Sequence, residues 1–194
     1  MTRVVAVREP IWWGAIAAIG VFASMHATVA FAAMYLAQGA DAWPPPETPL
    51  PEPTVPLGVV ALAIVTFAVT ALGHRQVPAG RPARLQLASA VIAGLLALSV
   101  ALSFGHLAAL GYDHTVNAFA SAYWVNVGVH TAFTVAVVIA HTVLAVRHWP
   151  PEEELRLRSG FVATVLLTYF VTVGWASVYG VLHLVPRFWT GVAA

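Results

Sequence analysis

The chain has 194 residues, 60% of them hydrophobic and only 9% charged, with a mean hydropathy of +0.82. Ordinary soluble domains are about 25% charged, so a soluble globular reading is excluded. A net charge of +1 gives no basis for nucleic-acid binding. The lack of cysteine excludes disulfides, thiolate-held iron–sulfur clusters and Cys nucleophiles.

Five apolar stretches predict five transmembrane helices, over roughly 11–38, 57–73, 85–112, 122–149 and 161–184. Each is long enough for a hydrocarbon core, which takes about 20 apolar residues, and none contains a carboxylate. Buried Asp or Glu usually marks an ion path in a membrane, so the pattern speaks against a pump working alone. The first stretch follows Arg3 and Arg8 as a signal peptide would, but it is longer than the 7–15 residues of a signal-peptide core. It therefore reads as the first membrane helix. The expected fold class is an all-α membrane protein, a single five-helix bundle.

Loop charge predicts the orientation. Arg75, Arg81 and Arg84 fall in the second loop and Arg147, Arg156 and Arg158 in the fourth, beside Glu152–Glu154, on the side of Arg3 and Arg8. The first and third loops carry Asp41, Glu47, Glu52 and Asp113 but no Arg; Arg187 follows the last span. By the positive-inside rule the N-terminus is cytoplasmic and the C-terminus outside. The first loop, 39–56, is rich in proline and predicts an extended crossover on the outer surface, or a strap for a neighbouring subunit. Trp12, Trp13, Trp124, Trp149, Phe188 and Trp189 lie near span ends, as an aromatic belt would place them.

The fourth span holds the densest polar set: Asn126, His130, Thr134, His141 and His148. His130 and His141 lie about 20° apart around a helix and about 16 Å along it. A polar stripe in lipid must face protein or a cavity, so this helix turns its stripe inward. A histidine hydrogen-bonded between helices is the plain reading of His130 and His141. Haem b is the sharper one: His26 and His130 could meet at one depth as axial ligands. Gly20, Ser24, His26 and Thr28 form a mid-membrane cluster that a small transporter could use. His106 and His183 are placed towards the outer ends of their helices, and His74 and His148 at the cytoplasmic boundary. The sequence contains no H-E-x-x-H, G-x-S-x-G or Walker motif.

Three short runs carry a family resemblance. They are Phe31-Ala32-Ala33-Met34-Tyr35 with Trp43-Pro44-Pro45, then Gly128-Val129-His130 through Thr134, then Thr168-Tyr169-Phe170-Val171-Thr172 through Trp175. In order and helix count the chain resembles subunit III of the haem–copper cytochrome c oxidases, in the five-helix bacterial form. The resemblance implies a non-catalytic, cofactor-free accessory subunit in a bacterial inner membrane. It would pack against subunit I, which carries haem and copper, and hold phospholipid between its helices; a relative such as a nitric oxide reductase complex is included. The chain also departs from the family. The family glutamate falls on Ser24, its second histidine on Phe133, and its late His and Asp on Tyr169 and Thr172. The resemblance therefore implies a member that has lost ionisable groups linked to proton uptake.

Overall fold

The computed structural model describes residues 10–79 and 81–186. Five helices run in order: α1 Pro10–Gln38, α2 Thr54–His74, α3 Pro82–Ala108, α4 Ala118–Val146 and α5 Glu154–Tyr179. Each is long and apolar enough to cross a membrane, and the described residues contain no strand. Arg3, Arg8, Arg187, Phe188 and Trp189 lie outside the described residues.

Local chemistry sets the helix ends. Pro82 opens α3 at the first helical position, where a missing N–H costs nothing. That places the start three residues before the expected Leu85. The other end of α3 falls at Ala108 rather than Tyr112, and Gly111 (φ 73°) follows in the loop, in a conformation that favours glycine. Asn117 caps α4 by accepting from the Ala120 N–H at 2.9 Å, so α4 begins four residues before Ala122. It ends at Val146, where Arg147 turns extended ahead of Pro150-Pro151. α5 starts at Glu154 rather than Phe161 and thus carries a carboxylate in its first turn, paired with Arg158 one turn on. A π-helical turn, Gly180–Leu184, continues α5 and keeps the span helical to its expected end.

α4 and α5 form the centre. α4 packs on α1, α3 and α5; α5 packs on all four others. α2 sits against α3 and α5, and α1 lies in the groove between α4 and α5. The only fully buried residues of α1 are Ala15, Ala33 and Ala37, whose small side chains let the helix approach closely. Large apolar side chains cover the outside of the bundle, including Phe31, Ile64, Leu87, Phe104, Ile139 and Val173. A soluble monomer rarely exposes so much contiguous apolar surface.

The ends of the bundle differ in charge. The first loop and the loop after α3 share one end, where Asn117 Nδ2 donates to Thr48 Oγ1 and Trp43 packs edge-on against Phe119 at 5.3 Å. That end carries Asp41, Glu47, Glu52 and Asp113. Arg75, Arg81, Arg84, Arg147, Arg156 and Arg158 gather at the opposite end, where Gln86 Nε2 donates to the Arg147 carbonyl at 3.0 Å.

Candidate functional site

The polar residues of α4 face inward and form a column along the bundle axis. Asn126, His130, Thr134 and His141 are all at most 1% exposed. His148 does not join them: it lies beyond the end of α4 and is exposed. From His141 to Tyr123 the column rises about 27 Å at 1.5 Å per residue, most of a hydrocarbon core.

At its arginine-rich end, His141 Nε2 sits 2.8 Å from Thr168 Oγ1. That hydroxyl already donates to the Thr164 carbonyl, so it accepts from His141, which fixes the Nε2–H tautomer. Thr164, Thr168 and Thr172 each bond back to a carbonyl on α5, which satisfies three hydroxyls without a partner helix.

At mid-column His130 Nε2 donates to the Val171 carbonyl at 2.9 Å. Its ring meets Trp175 edge-on at 4.5 Å and His26 at 5.4 Å. Gly174 makes this approach possible: a Cβ there would overlap the His130 ring. Asn126 Nδ2 donates to the carbonyls of Val29 and Ala122, tying α4 to α1. His26 Nε2 lies 3.2 Å from Ser177 Oγ. The sequence pairing of His26 and His130 is therefore met in space, yet both Nε2 atoms are occupied. Phe22 stacks on Phe133 at 4.0 Å on one side of the pair, and the Asn126–Val29 bond closes the other. A haem between these rings would require α1 and α4 to part.

The expected cluster of Gly20, Ser24, His26 and Thr28 divides. Ser24 and Thr28 bond to the carbonyls of Gly20 and Ser24 on the outward face, whereas His26 is half-buried towards α5. Among the described residues no three His, Asp or Glu come together as a metal site.

The acidic end of the column holds a group that sequence reasoning missed. Tyr123, 1% exposed, lies between two imidazoles. His106 Nε2 is 2.7 Å from its hydroxyl and His183 Nε2 is 3.0 Å from it. A phenol has one proton, so Tyr123 donates to one ring and accepts from the N–H of the other. The π turn presents His183 to this site, and Tyr179 stacks on it at 5.0 Å. Such turns are rare and often sit at functional positions. Sequence spacing could not find the triad, because its members come from three helices and an i→i+5 turn resets the last one.

No protein-family model matches the chain, and no curated protein matches it.

Proposed function

We propose that this chain is a non-catalytic accessory subunit, of subunit III type, in a respiratory haem–copper oxidase or a close relative. One observation carries the reading. Parts of the three sequence runs that resemble the family meet in the core, while Phe31 and Tyr35 of the first run face outward. Ala33 of the first run, Trp43 of the W-P-P loop and Trp175 of the last run share a core with Val127 and Phe119. His130 of the middle run bonds Val171 and packs on Trp175, both in the last run. Segments scattered over some 140 residues thus act as one packing unit, as expected if they were kept for shape rather than for chemistry.

In this reading His130 is an anchor between α4 and α5, and the large outer apolar surface meets lipid and the catalytic subunit I, which holds haem and copper. Phospholipid occupies grooves between the helices. The arginine-rich end faces the cytoplasm, with the N-terminus inside and the C-terminus outside, in a bacterial inner membrane. The carboxylate-free apolar stretches suit a subunit with no proton path of its own. At the family's acidic positions, Ser24 and Thr172 bond only to backbone carbonyls of their own helices.

The test is purification of the chain from its native membrane in mild detergent, with mass spectrometry and a reduced-minus-oxidised spectrum. The expected result is a co-purifying haem–copper subunit, with a haem signal that vanishes when this chain is isolated. A stoichiometric haem retained by the isolated chain would point instead to a haem b anchor. Solute transport by the reconstituted chain alone would point to a transporter.

A further inference from the structure

The arginines gathered at one end of the bundle are not equivalent. Between α4 and α5 each has a carboxylate beside it. Arg147 meets Glu153 at 2.7 Å, Arg156 meets the same side chain at 3.6 Å, and Arg158 pairs with Glu154. With Glu152, that connection carries three arginines and three glutamates and is neutral. Between α2 and α3 the balance is different. Arg75, Arg81 and Arg84 are all exposed, and no Asp or Glu occurs anywhere from Pro53 to Tyr112. Among the described residues none of the three meets a carboxylate. Arg84 Nη1 donates to Gln76 Oε1 at 3.1 Å, but an amide brings no charge in return.

The loop holds these cations together at the edge of an apolar face. Gln76 follows Arg75 directly, so its bond to Arg84 brings the two ends of the loop to one place. A single short turn, Val77–Ala79, lies between them. Arg75 stands close enough to Tyr169 of α5 for its charge to act on that phenol. Tyr169 in turn lies against Phe67 of α2 at 4.7 Å. Leu72 near the end of α2 and Leu87 near the start of α3 are exposed, and Ile64 and Val91 continue the apolar surface along the same two helices.

We propose that Arg75, Arg81 and Arg84 bind the phosphate headgroup of an anionic phospholipid, whose acyl chains lie along the exposed faces of α2 and α3. The ligand is an anion, because three cations share one short loop without a counter-charge. Phosphate fits them, since a guanidinium presents paired N–H donors to two of its oxygens. The ligand is also a lipid, because the cations stand at the helix ends, directly beside exposed Leu72 and Leu87. A zwitterionic lipid carries its own cation into the cluster and binds less well. Basic clusters beside a membrane helix attract anionic lipid for the same reason. The α4–α5 connection lies at the same end, but its arginines are already paired. The site requires only that the chain spans a membrane and does not depend on membership of an oxidase complex.

The experiment uses the full chain in mild detergent, titrated with phosphatidylglycerol and with phosphatidylcholine of the same acyl chains, with native mass spectrometry as the readout. One phosphatidylglycerol per chain is expected, bound about tenfold or more tightly than phosphatidylcholine. Arg75→Gln and Arg84→Gln should each weaken it about fivefold, and together should remove most of the preference. Arg156→Gln takes the same charge from the same end and should leave the preference nearly intact. Equal binding of the two lipids by wild type overturns the proposal. So does an equal loss from Arg156→Gln, which would assign the attraction to the net charge of that end rather than to this loop. Displacement of phosphatidylglycerol by inorganic phosphate would assign the site to a soluble anion and likewise overturns it. Thermal melts check the fold of each variant; should the double variant not fold, Arg81→Gln decides.

Discussion

Gly174→Ala tests the packing at the centre of the column. A Cβ at Gly174 would overlap Cε1 of His130 and stand 3.0 Å from its Nδ1 and 3.2 Å from its Nε2. The ring has nowhere to go. Nε2 is bonded to the Val171 carbonyl at 2.9 Å, Trp175 lies edge-on at 4.5 Å and His26 at 5.4 Å. Overpacking a tight core costs about 1–3 kcal/mol. If the ring swings off Val171, a buried donor loses its partner at about 1–3 kcal/mol more. The expected destabilisation is therefore about 2–6 kcal/mol, read from reversible unfolding of the purified chain in mixed micelles. Gly128→Ala is the control: no atom lies within 4 Å of a Cβ there, and the change should stay within about 0.5 kcal/mol. In a His130→Ala background the cost of Gly174→Ala should nearly vanish, since the clashing ring is gone. If Gly174→Ala unfolds as wild type does, or costs the same with and without His130, the close approach of α4 and α5 is wrong.

Three further outcomes are expected. Thr168→Val leaves the His141 Nε2–H without an acceptor and should cost about 1–2 kcal/mol, while Thr168→Ser should restore most of it; unfolding free energies of the two variants check this. Trp43→Ala should cost about 3–5 kcal/mol and open the first loop to protease, because Trp43 is 6% exposed and packs in the core beside Phe119. Asp113 accepts from the hydroxyl of Thr115 at 2.5 Å and from its amide at 2.7 Å, and these bonds hold its carboxyl below the usual carboxylate range. A lowered folded value stabilises above the unfolded one, so this contribution is complete above about pH 4 and fades as pH falls through the folded value. Asp113→Ala should remove that part of the acid dependence of the melting temperature, and an unchanged acid profile would count against the turn.

Tyr112 contributes to the alkaline limb. Burial pushes the Tyr112 phenol up to about 12, so it remains a hydrogen-bond donor throughout the neutral range. A raised folded value gives stability that is fully present below about pH 10 and is lost as pH rises towards 12. Melting curves of wild type and Tyr112→Phe should coincide in shape below that window and diverge within it.

The sequence alone determined the class, the number of spans and the inward turn of α4. It could do so because apolar length and the cost of a polar group in lipid act on each segment separately. Loop charge likewise set the two ends apart: Arg75, Arg81, Arg84, Arg147, Arg156 and Arg158 gather at one end with Glu152–Glu154 among them, and the other end carries Asp41, Glu47, Glu52 and Asp113. Helix ends were less legible. The Asn117 cap and the opening Pro82 moved them by three or four residues, and the apolar count could not see either signal. Partners were decided only by the tertiary structure. His26 and His130 look like a ligand pair along the chain, but contact with Val171, Ser177 and Trp175 occupies them as links between helices. Tyr123 reads as one more aromatic near a helix start until α3 and the π turn bring an imidazole to each side of it. A residue's cost in the membrane is local and can be read from its own span. What it bonds depends on which helices lie beside it, and that is settled by packing among all five.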